Sequence, residues 1–494
     1  DVAATTRALL EQPVVRRWLA ALAGLPDLDP VQCDRLAFLA ALHDVGKVNI
    51  GFQNKQYLKA PFRAGHVSPV LRLLEWGVPD PDRTRLYEAL TLREIAEWAS
   101  DPNAFFGLFY AILSHHGRPG QPDPVPGSRY WRRSGSVDPF AEAARLRKEA
   151  ERWFPRAFDA AVPFPANPAF QHGFNGLLTL ADWIASDTAL FPFSEEGDGD
   201  RFPQVSERAE YVLRRLGLAA DAPRRALGAA PPTFSAIRDE PPRELQARLL
   251  ELPTDEGGSV TVLEAETGAG KTEAALGRFL RLFHAGRVDG LYFALPTRTA
   301  ATQIHSRVRA AVAKAFPDAG TRPPVVLAVP GYLQVDDARG EREGRFGVRW
   351  DGAEPAPELP ADPPKLASPG ALWPDDDPWS RRWRGWAAED SKRFLAGVVV
   401  VGTIDQVLLS ALAVSHSHLR SAGLARHFLV VDEVHASDAY MTAILEVVLA
   451  RHLGAGGHAL LMSATLGAAA RERLLGAGRR PPPLPRAAAE AIPY

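Results

Sequence analysis

The 494 residues contain a single cysteine, Cys33. That excludes a disulfide framework and fits a reducing cytosol. No apolar run approaches the length of a membrane span, and nothing at the start reads as a secretion signal, so no membrane partner is expected. A strong excess of one charge is also missing: 57 Lys and Arg stand against 59 Asp and Glu, a formal net charge of -2. A protein that coats nucleic acid indiscriminately is therefore excluded, and any nucleic-acid site must be a local groove or channel. There is no internal repeat, and the first 218 residues show no clear strand pattern.

What is present is an ordinary globular composition, 46% hydrophobic and 23% charged, over a length that suggests two or three domains. The chain opens on Asp1-Val2-Ala3-Ala4 without an initiating Met. It closes on a short Ala-rich stretch after Pro481-Pro482-Pro483. Both ends are expected to be truncated. Up to about Leu218 the periodicity is helical: Leu36, Phe38, Leu39 and Leu42 mark an apolar face running towards Gly46, read as a helix stop. Gly107–His116, ending at Gly117, and Gly173–Ala185 read the same way. Between Leu218 and Glu240 the composition shifts to Ala, Pro and Arg, a linker signature. Beyond it, β-branched runs alternate with helical stretches. Val260–Leu263, Leu291–Ala294, Val325–Val329, Val398–Val401, Phe428–Val431 and Ala459–Met462 read as buried strands of a mostly parallel sheet. The fold class is thus multidomain, with an all-α domain over 1–222, a linker over 223–240 and an α/β domain over 241–480. Residues 331–390 are too long for an ordinary connection and read as an insertion.

Ala265-Glu266-Thr267-Gly268-Ala269-Gly270-Lys271-Thr272 lies between a strand and a helix, the context a phosphate loop requires. Glycines let backbone N–H groups close around phosphates at a helix N-terminus. Lys271 would reach the β and γ phosphates of ATP and Thr272 would hold Mg²⁺. Strand Phe428–Val431 runs into Asp432-Glu433-Val434-His435, an acidic pair at the edge of the nucleotide crevice. Asp432 would bind Mg²⁺ through water and Glu433 would polarise the attacking water. Gln246, upstream, is either an adenine contact or a surface glutamine.

A second chemistry is written into the helical part. His43-Asp44 and His115-His116 each end an apolar helix, and Asp182 interrupts a third, in Leu180-Ala181-Asp182-Trp183. A carboxylate inside an apolar helix needs a partner. His66 offers one more imidazole, the least secure of the set. Imidazoles mixed with carboxylates suit borderline transition metals, and two such ions can clamp the oxygens of a phosphodiester. The five firmer residues are therefore expected to converge on one or two metals. A further group of residues, Trp350, Trp373, Trp379, Trp383 and Trp386, alternates with Arg349, Arg381, Arg382 and Arg384. These tryptophans are either a stacking platform for single-stranded DNA or anchors pinning the insertion to the surface; anchoring is the preferred reading.

Pro296-Thr297-Arg298, Gly402-Thr403-Ile404-Asp405-Gln406 and Ser463-Ala464-Thr465 follow three of the strands, in the order found in superfamily 2 helicases. By that resemblance Thr297, Arg298 and Thr403 would touch DNA, and Ser463 and Thr465 would couple hydrolysis to movement. With His43-Asp44-Val45-Gly46-Lys47, Phe52-Gln53, His115-His116 and Asp182, the chain resembles the CRISPR-associated HD nuclease–helicases of type I interference systems. The resemblance implies an HD domain followed by a RecA-like domain. It implies degradation of single-stranded DNA with two transition metals (Fe, Mn, Ni or Co), ATP-driven 3′ to 5′ movement, and delivery of the target by an RNA-guided surveillance complex in a prokaryotic cytoplasm. It also implies a further ligand histidine just ahead of an Asp-Val-Ala stretch, and a second RecA-like domain with an arginine finger beyond Ser463-Ala464-Thr465; neither is in this chain. Two alternatives stay open: a nucleotide-cleaving HD phosphohydrolase regulated by an ATP-binding domain, and a DNA-dependent ATPase with a structural HD domain.

Overall fold

The computed structural model describes every residue except 61, 75–80, 126–128, 194–200, 255–256, 344–346, 352–379, 437 and 477–494. In the N-terminal half, helices start where the sequence supplies caps. The helix Pro30–Ala41 begins with Pro30 in its first turn and a reciprocal capping box between Asp29 and Gln32, which satisfies two otherwise orphaned N–H groups. It buries Leu36, Ala37, Phe38, Leu39 and Ala40. The helix Pro102–Leu113 is capped by Asp101, whose carboxylate accepts from the Asn103 and Ala104 amides. The helix Pro168–Ala185 is capped by Asn167 and is the central rod. It packs against the helices Val2–Leu10, Pro13–Ala23 and Pro102–Leu113 on one side, and against the helix Ser417–Ala425 of the second half on the other.

The second half is built on nine strands: β1 (Ser259–Glu264), β2 (Gly290–Leu295), β3 (Val325–Ala328), β4 (Gln334–Val335), β5 (Ala338–Glu343), β6 (Gly347–Trp350), β7 (Val399–Thr403), β8 (His427–Val431) and β9 (His458–Ser463). Their order across the sheet is β1-β9-β8-β2-β7-β3-β4-β5-β6. The six strands read from sequence are all present and pair in parallel. The near-complete burial of β2, β3, β7, β8 and β9 is why they read as unbroken apolar runs; β1, at the sheet edge, is half-buried. The all-α then α/β architecture is thus as expected.

Two stretches differ in character from their sequence reading. Residues 331–350, assigned to an insertion, carry β4 to β6, which extend the sheet by antiparallel pairing. β5, Ala-Arg-Gly-Glu-Arg-Glu, is polar on both faces, so it offers no apolar alternation to detect. The stretch read as linker carries the end of the helix Asp221–Ala226 and buries Phe234 and Ile237.

Trp350, Trp383 and Trp386 are buried, in keeping with the anchoring reading; Trp373 and Trp379 lie outside the described residues. Trp383 meets the edge of Tyr211 and lies under the Arg215 guanidinium, and Arg382 pairs with Asp187. Arg384 pairs with Asp336. The C-terminal part of the insertion thus touches both halves. No described helix is long and apolar enough to cross a membrane.

One apolar core cluster runs through both halves, from Leu9 and Phe174 to Leu419 and Val431. At the seam the central helix comes close to its neighbour: a Cβ added at Gly176 would lie 2.2 Å from the His418 carbonyl oxygen and 2.8 Å from Ala422 Cβ. Gly176→Val should push these helices apart and cost about 1–3 kcal/mol, the usual range for overpacking. Thermal unfolding should show a lowered midpoint. An unshifted midpoint would mean that the seam contributes little to the folded state.

Candidate metal centre and nucleotide cleft

The helix Pro30–Ala41 ends before Leu42, and His43 and Asp44 occupy the turn beyond it. Gly46 was read as the helix stop, but it sits inside a 3₁₀ turn, Val45–Val48. Its role is steric: a Cβ there would fall 1.7 Å from the His66 carbonyl oxygen. Without a side chain, the turn lets the His66 strand of chain close over the His43-Asp44 pair. His115-His116 follow the helix Pro102–Leu113, with Gly117 at φ +78° as the left-handed terminus, as read from sequence. Asp182 projects from the last turn of the central rod and accepts a hydrogen bond from Ser186.

These residues come together. His43 Nε2 lies 3.2 Å from Asp44 Oδ2 and 3.7 Å from Asp182 Oδ1. Asp44 Oδ1 is 3.1 Å from His66 Nε2 and 3.6 Å from His115 Nε2. His66 and His116 face each other through their Nε2 atoms at 2.8 Å. Candidate ligand atoms of His43, Asp44 and His115 lie within 4.8 Å of one another, as do those of His66, His115 and His116. Lys47 pairs with Asp44 Oδ2 at 2.5 Å.

The donor set asks for a cation. His43 Nδ1 donates to the Ala40 carbonyl at 2.7 Å, and His115 Nδ1 donates to the Ile112 carbonyl at 2.8 Å. With Nδ1 carrying the proton, the neutral rings turn Nε2 lone pairs towards the carboxylates. Acceptors then face acceptors. His43 Nε2 and Asp44 Oδ1 are buried without a hydrogen-bond partner, a costly arrangement unless a positive charge sits among them. Protonation is one source of that charge. Burial depresses His43, but the facing Asp182 and Asp44 carboxylates outweigh it and raise its pKa to about 9. Burial, with the charges of His43 and His116, pushes His115 down to about 4. Asp44 and Asp182 are held below the usual carboxylate range, burial notwithstanding, by their imidazole partners. A transition-metal ion is the other source, and it would compete with the His43 proton. The residues fit such an ion: imidazole nitrogens and carboxylate oxygens, two overlapping triads, and outer carbonyls that set the tautomers.

The second site is a cleft of about 660 Å³. β1 leads into the loop 265–270 and the helix Lys271–His284. Gly268 and Gly270 have φ of +85° and +86°, a backbone that L side chains resist. Gln246 is buried against this loop. Its amide donates to the Gly270 carbonyl at 3.2 Å, and a Cβ at Gly270 would lie 2.2 Å from its Nε2. Lys271 donates to the Ala265 carbonyl at 2.8 Å. Thr272, Asp432 and Glu433 also line the cleft. Burial raises the Asp432 carboxyl, with the Glu433 charge adding to it.

His435 joins the acidic motif to the coupling motif. Its Nδ1 is 3.3 Å from Glu433 Oε2 and 3.0 Å from Ser463 Oγ, and Ser463 Oγ donates to the Thr465 carbonyl at 2.7 Å. Sequence reading quoted His435 in its motif but gave it no role. It also missed Arg243, which donates to the Gly268 carbonyl at 2.7 Å, and Glu273, paired with Arg307 and Arg238. Arg243 and Glu273 have no local signal, because their partners are distant in sequence.

Of the residues expected to touch DNA, Thr297 and Arg298 are exposed, Thr297 capping the helix Arg298–Ala315 through the Ala300 amide. Thr403 is different. It is buried at the end of β7, beside Leu295 of β2, with its carbonyl accepting from the Tyr292 hydroxyl. The contact expected of Thr403 has no accessible side chain in this arrangement; the burial of β7 on both faces outweighs its position at a strand end.

Residues 1–191 match the family model described as Cas3, HD domain. Over that stretch the helical part is similar to the HD domain of Cas3 proteins. Cas3, the CRISPR-associated endonuclease/helicase of Thermus thermophilus, is 30% identical over 498 residues, covering 96% of this chain and 48% of that protein. A crystal structure of T. fusca Cas3 superposes with a TM-score of 0.66 at 23% identity, covering 97% of this chain and 50% of that one. A chain from a CRISPR RNA-guided surveillance complex, pre-nicking, gives 0.52 at 22% identity, over 97% and 47% of the two chains. The chain spans about half the length of the curated Cas3 relatives it matches.

Because the Gly46 turn and the His66 segment touch, Gly46→Ala should displace His66 from Asp44. Metal affinity should fall about 10–100-fold, the range for disturbing groups that hold ligands in place. Equilibrium dialysis with Mn²⁺ measures this, and unchanged affinity would show that the His66 segment yields without loss.

Proposed function

We propose that this chain is the nuclease and first motor lobe of a type I CRISPR interference enzyme. In this reading it cuts single-stranded DNA by metal-dependent hydrolysis and moves 3′ to 5′ on it with ATP. Residues 1–222 are the nuclease unit, 223–240 the connection and 241–480 the first RecA-like unit. The observation that carries the reading is the pair of buried, partnerless atoms His43 Nε2 and Asp44 Oδ1, in a chain that also holds a complete phosphate loop. A regulatory nucleotide-binding domain would not need Ser463 and Glu433 joined through His435. A purely structural HD domain would not keep costly facing acceptors in its core.

His43, Asp44, His66, His115, His116 and Asp182 would hold two ions of Fe, Mn, Ni or Co. Bound there, such ions would supply Lewis acidity and a nucleophile at neutral pH. The chain's own contribution is orientation. The Ala40 and Ile112 carbonyls hold the His43 and His115 rings with Nε2 inward, and Lys47 neutralises the outer oxygen of Asp44. In the cleft, Lys271 would leave the Ala265 carbonyl for the β and γ phosphates of ATP, while Thr272 and Asp432 would hold Mg²⁺ and Glu433 would orient water. Gln246 already sits where it senses the loop. Thr297 and Arg298 would meet the DNA backbone. Ser463 and Thr465 would pass the state of the cleft on through His435. An RNA-guided surveillance complex would supply the strand.

The two chemistries should separate. Lys271→Ala should abolish ATP-driven movement yet leave metal-dependent nicking of single strands within about twofold, because cleavage draws nothing from the phosphate loop. Asp44→Ala should remove nicking by at least about 10³-fold, the scale of losing metal-based stabilisation. Gel assays with Mn²⁺, with and without ATP, read both. Loss of ATP-independent nicking in a folded Lys271→Ala protein would show the sites to be chemically interdependent, and nicking by Asp44→Ala would remove the metal centre from the reaction.

A further inference from the structure

Asp44 and His66 bracket a segment of unusual charge. After Asp44 the next acidic residue in the chain is Glu75, while Lys47, Lys55, Lys59, Arg63 and Arg72 fall between them. The segment is braced. Asn49 accepts from the Phe52 amide at 2.8 Å and donates to the carbonyls of Gly46 at 2.7 Å and Gly65 at 3.0 Å. The Ala64 amide donates to the Gly51 carbonyl and the Ile50 amide to the Tyr130 carbonyl, both at 2.9 Å. Arg63 closes the tip by donating to the carbonyls of Tyr57 at 2.7 Å and Leu58 at 3.0 Å. Yet the side chains at that tip are largely exposed, Tyr57 at 60% and Leu58 at 96%. Towards the metal centre, Phe52 meets the His66 ring edge to face at 5.3 Å, and the Lys55 ammonium lies 4.5 Å from the Phe52 centroid. An exposed cation therefore stands two contacts from a candidate metal ligand.

We propose that this lip, through Lys55, Tyr57 and Lys59, seats single-stranded DNA beside the metal centre. The proposal rests on the nuclease reading above and names the surface that delivers its substrate. Lysines on an acid-free lip attract the phosphate backbone. An exposed tyrosine gives an unpaired base a face to stack on, without regard to sequence. A duplex keeps its bases stacked on each other, so the tyrosine favours single strands. The braced backbone holds the platform in place before the strand arrives, which lowers the ordering cost of binding. A protein partner fits less well, since the exposed apolar surface of the tip is one aromatic and one leucine, Tyr57 and Leu58, between lysines, too small for the apolar centre of a docking patch.

The test uses the full chain, with Tyr57→Ala and with Lys55→Ala and Lys59→Ala combined. Contact is read by photocrosslinking to a 5-iodouracil oligonucleotide in chelator. KM and kcat for single-strand cutting, and hydrolysis of bis(p-nitrophenyl) phosphate with Mn²⁺, are measured separately. Crosslinks should form at Tyr57. Tyr57→Ala should raise KM about tenfold, as expected for one lost stacking contact. The lysine pair should flatten the salt dependence of affinity by about 1.4 in log–log slope, at roughly 0.7 per phosphate contact on a single strand. Both variants should hydrolyse the small diester like the parent chain, which a merely structural effect on the metal centre would not allow. Crosslinks confined to other surfaces together with unchanged KM would overturn the proposal. So would unchanged strand contact with lost binding to a CRISPR surveillance complex, which would assign the lip to protein docking. If the parent chain cuts neither DNA nor the small diester with any metal, the nuclease reading fails, whereas the metal-free crosslink still decides the lip.

Discussion

The rest of the helical half is arranged around one electrostatic conflict. The Asp44 carboxylate and the Nε2 atoms of His43, His66 and His115 are crowded within a few ångströms, an arrangement that needs a positive charge, from a proton or a metal ion, among them. No apolar packing would produce this unaided, because burying facing acceptors costs free energy that a plain hydrophobic site would keep. Each local device serves to hold the conflict in place. Helices end just before His43 and before His115, carbonyls one turn back fix the ring tautomers, and Gly46 allows the His66 segment to close from the open side. The strain is tolerable because a helical scaffold with a continuous core surrounds it.

That scaffold is not independent of the α/β half. Asp182 belongs to the same rod whose Gly176 touches the His418 backbone. The next residue, Trp183, meets the His416 ring at 5.1 Å and lies under the cations of Lys392 and Arg393. On the other ligand turn, the His416 amide donates to the Gly117 carbonyl at 2.9 Å. Gly117 has no side chain where the His416 ring sits: an added Cβ would be 2.4 Å from its Nδ1. Two of the candidate ligand-bearing segments are therefore braced by residues on either side of β7 in the second half. The metal centre's geometry depends on the seam as much as on the helices that carry the ligands.

What could be read from sequence follows from how local each signal was. The parallel strands announced themselves because burial on both faces forces apolar runs, and the phosphate loop because its glycines must take positive φ. The ligand pairs His43-Asp44 and His115-His116 were legible because each is adjacent in sequence at the end of an apolar helix, and Asp182 because a lone carboxylate on an apolar helix stands out. His66 was weak for the opposite reason: it lies in a polar loop, and only the Gly46 contact shows why it belongs. Gly46 itself was misread, since a glycine after a helix looks like a left-handed terminus whether its use is torsional or steric. β4 to β6 were invisible because β4 and β6 are too short to show a period and β5 is polar on both faces. Thr403 was assigned to DNA by the resemblance, and its burial at the end of β7, with its carbonyl bonded by Tyr292 far away in sequence, leaves no local signal.

Net charge is the quantity that says least here. A chain at -2 has no global attraction for DNA, yet a strand that is to be cut must come close to a centre ringed by carboxylates. Segregation resolves this. The acids that serve chemistry, Asp44 and Asp182, are drawn inward, where imidazoles and Lys47 offset them. The span from Val45 to Leu74 is stripped of acids altogether. At physiological salt, screening removes interactions beyond about 8 Å, so a phosphate responds to the few charges nearest to it and not to the chain's total. Lys55, on the Phe52 ring that in turn meets His66, would act over that short range. A scattered excess of lysine would raise affinity everywhere on the surface. On the proposed reading, a cationic lip with an acidic centre behind it would attract a phosphate where the candidate ligands are.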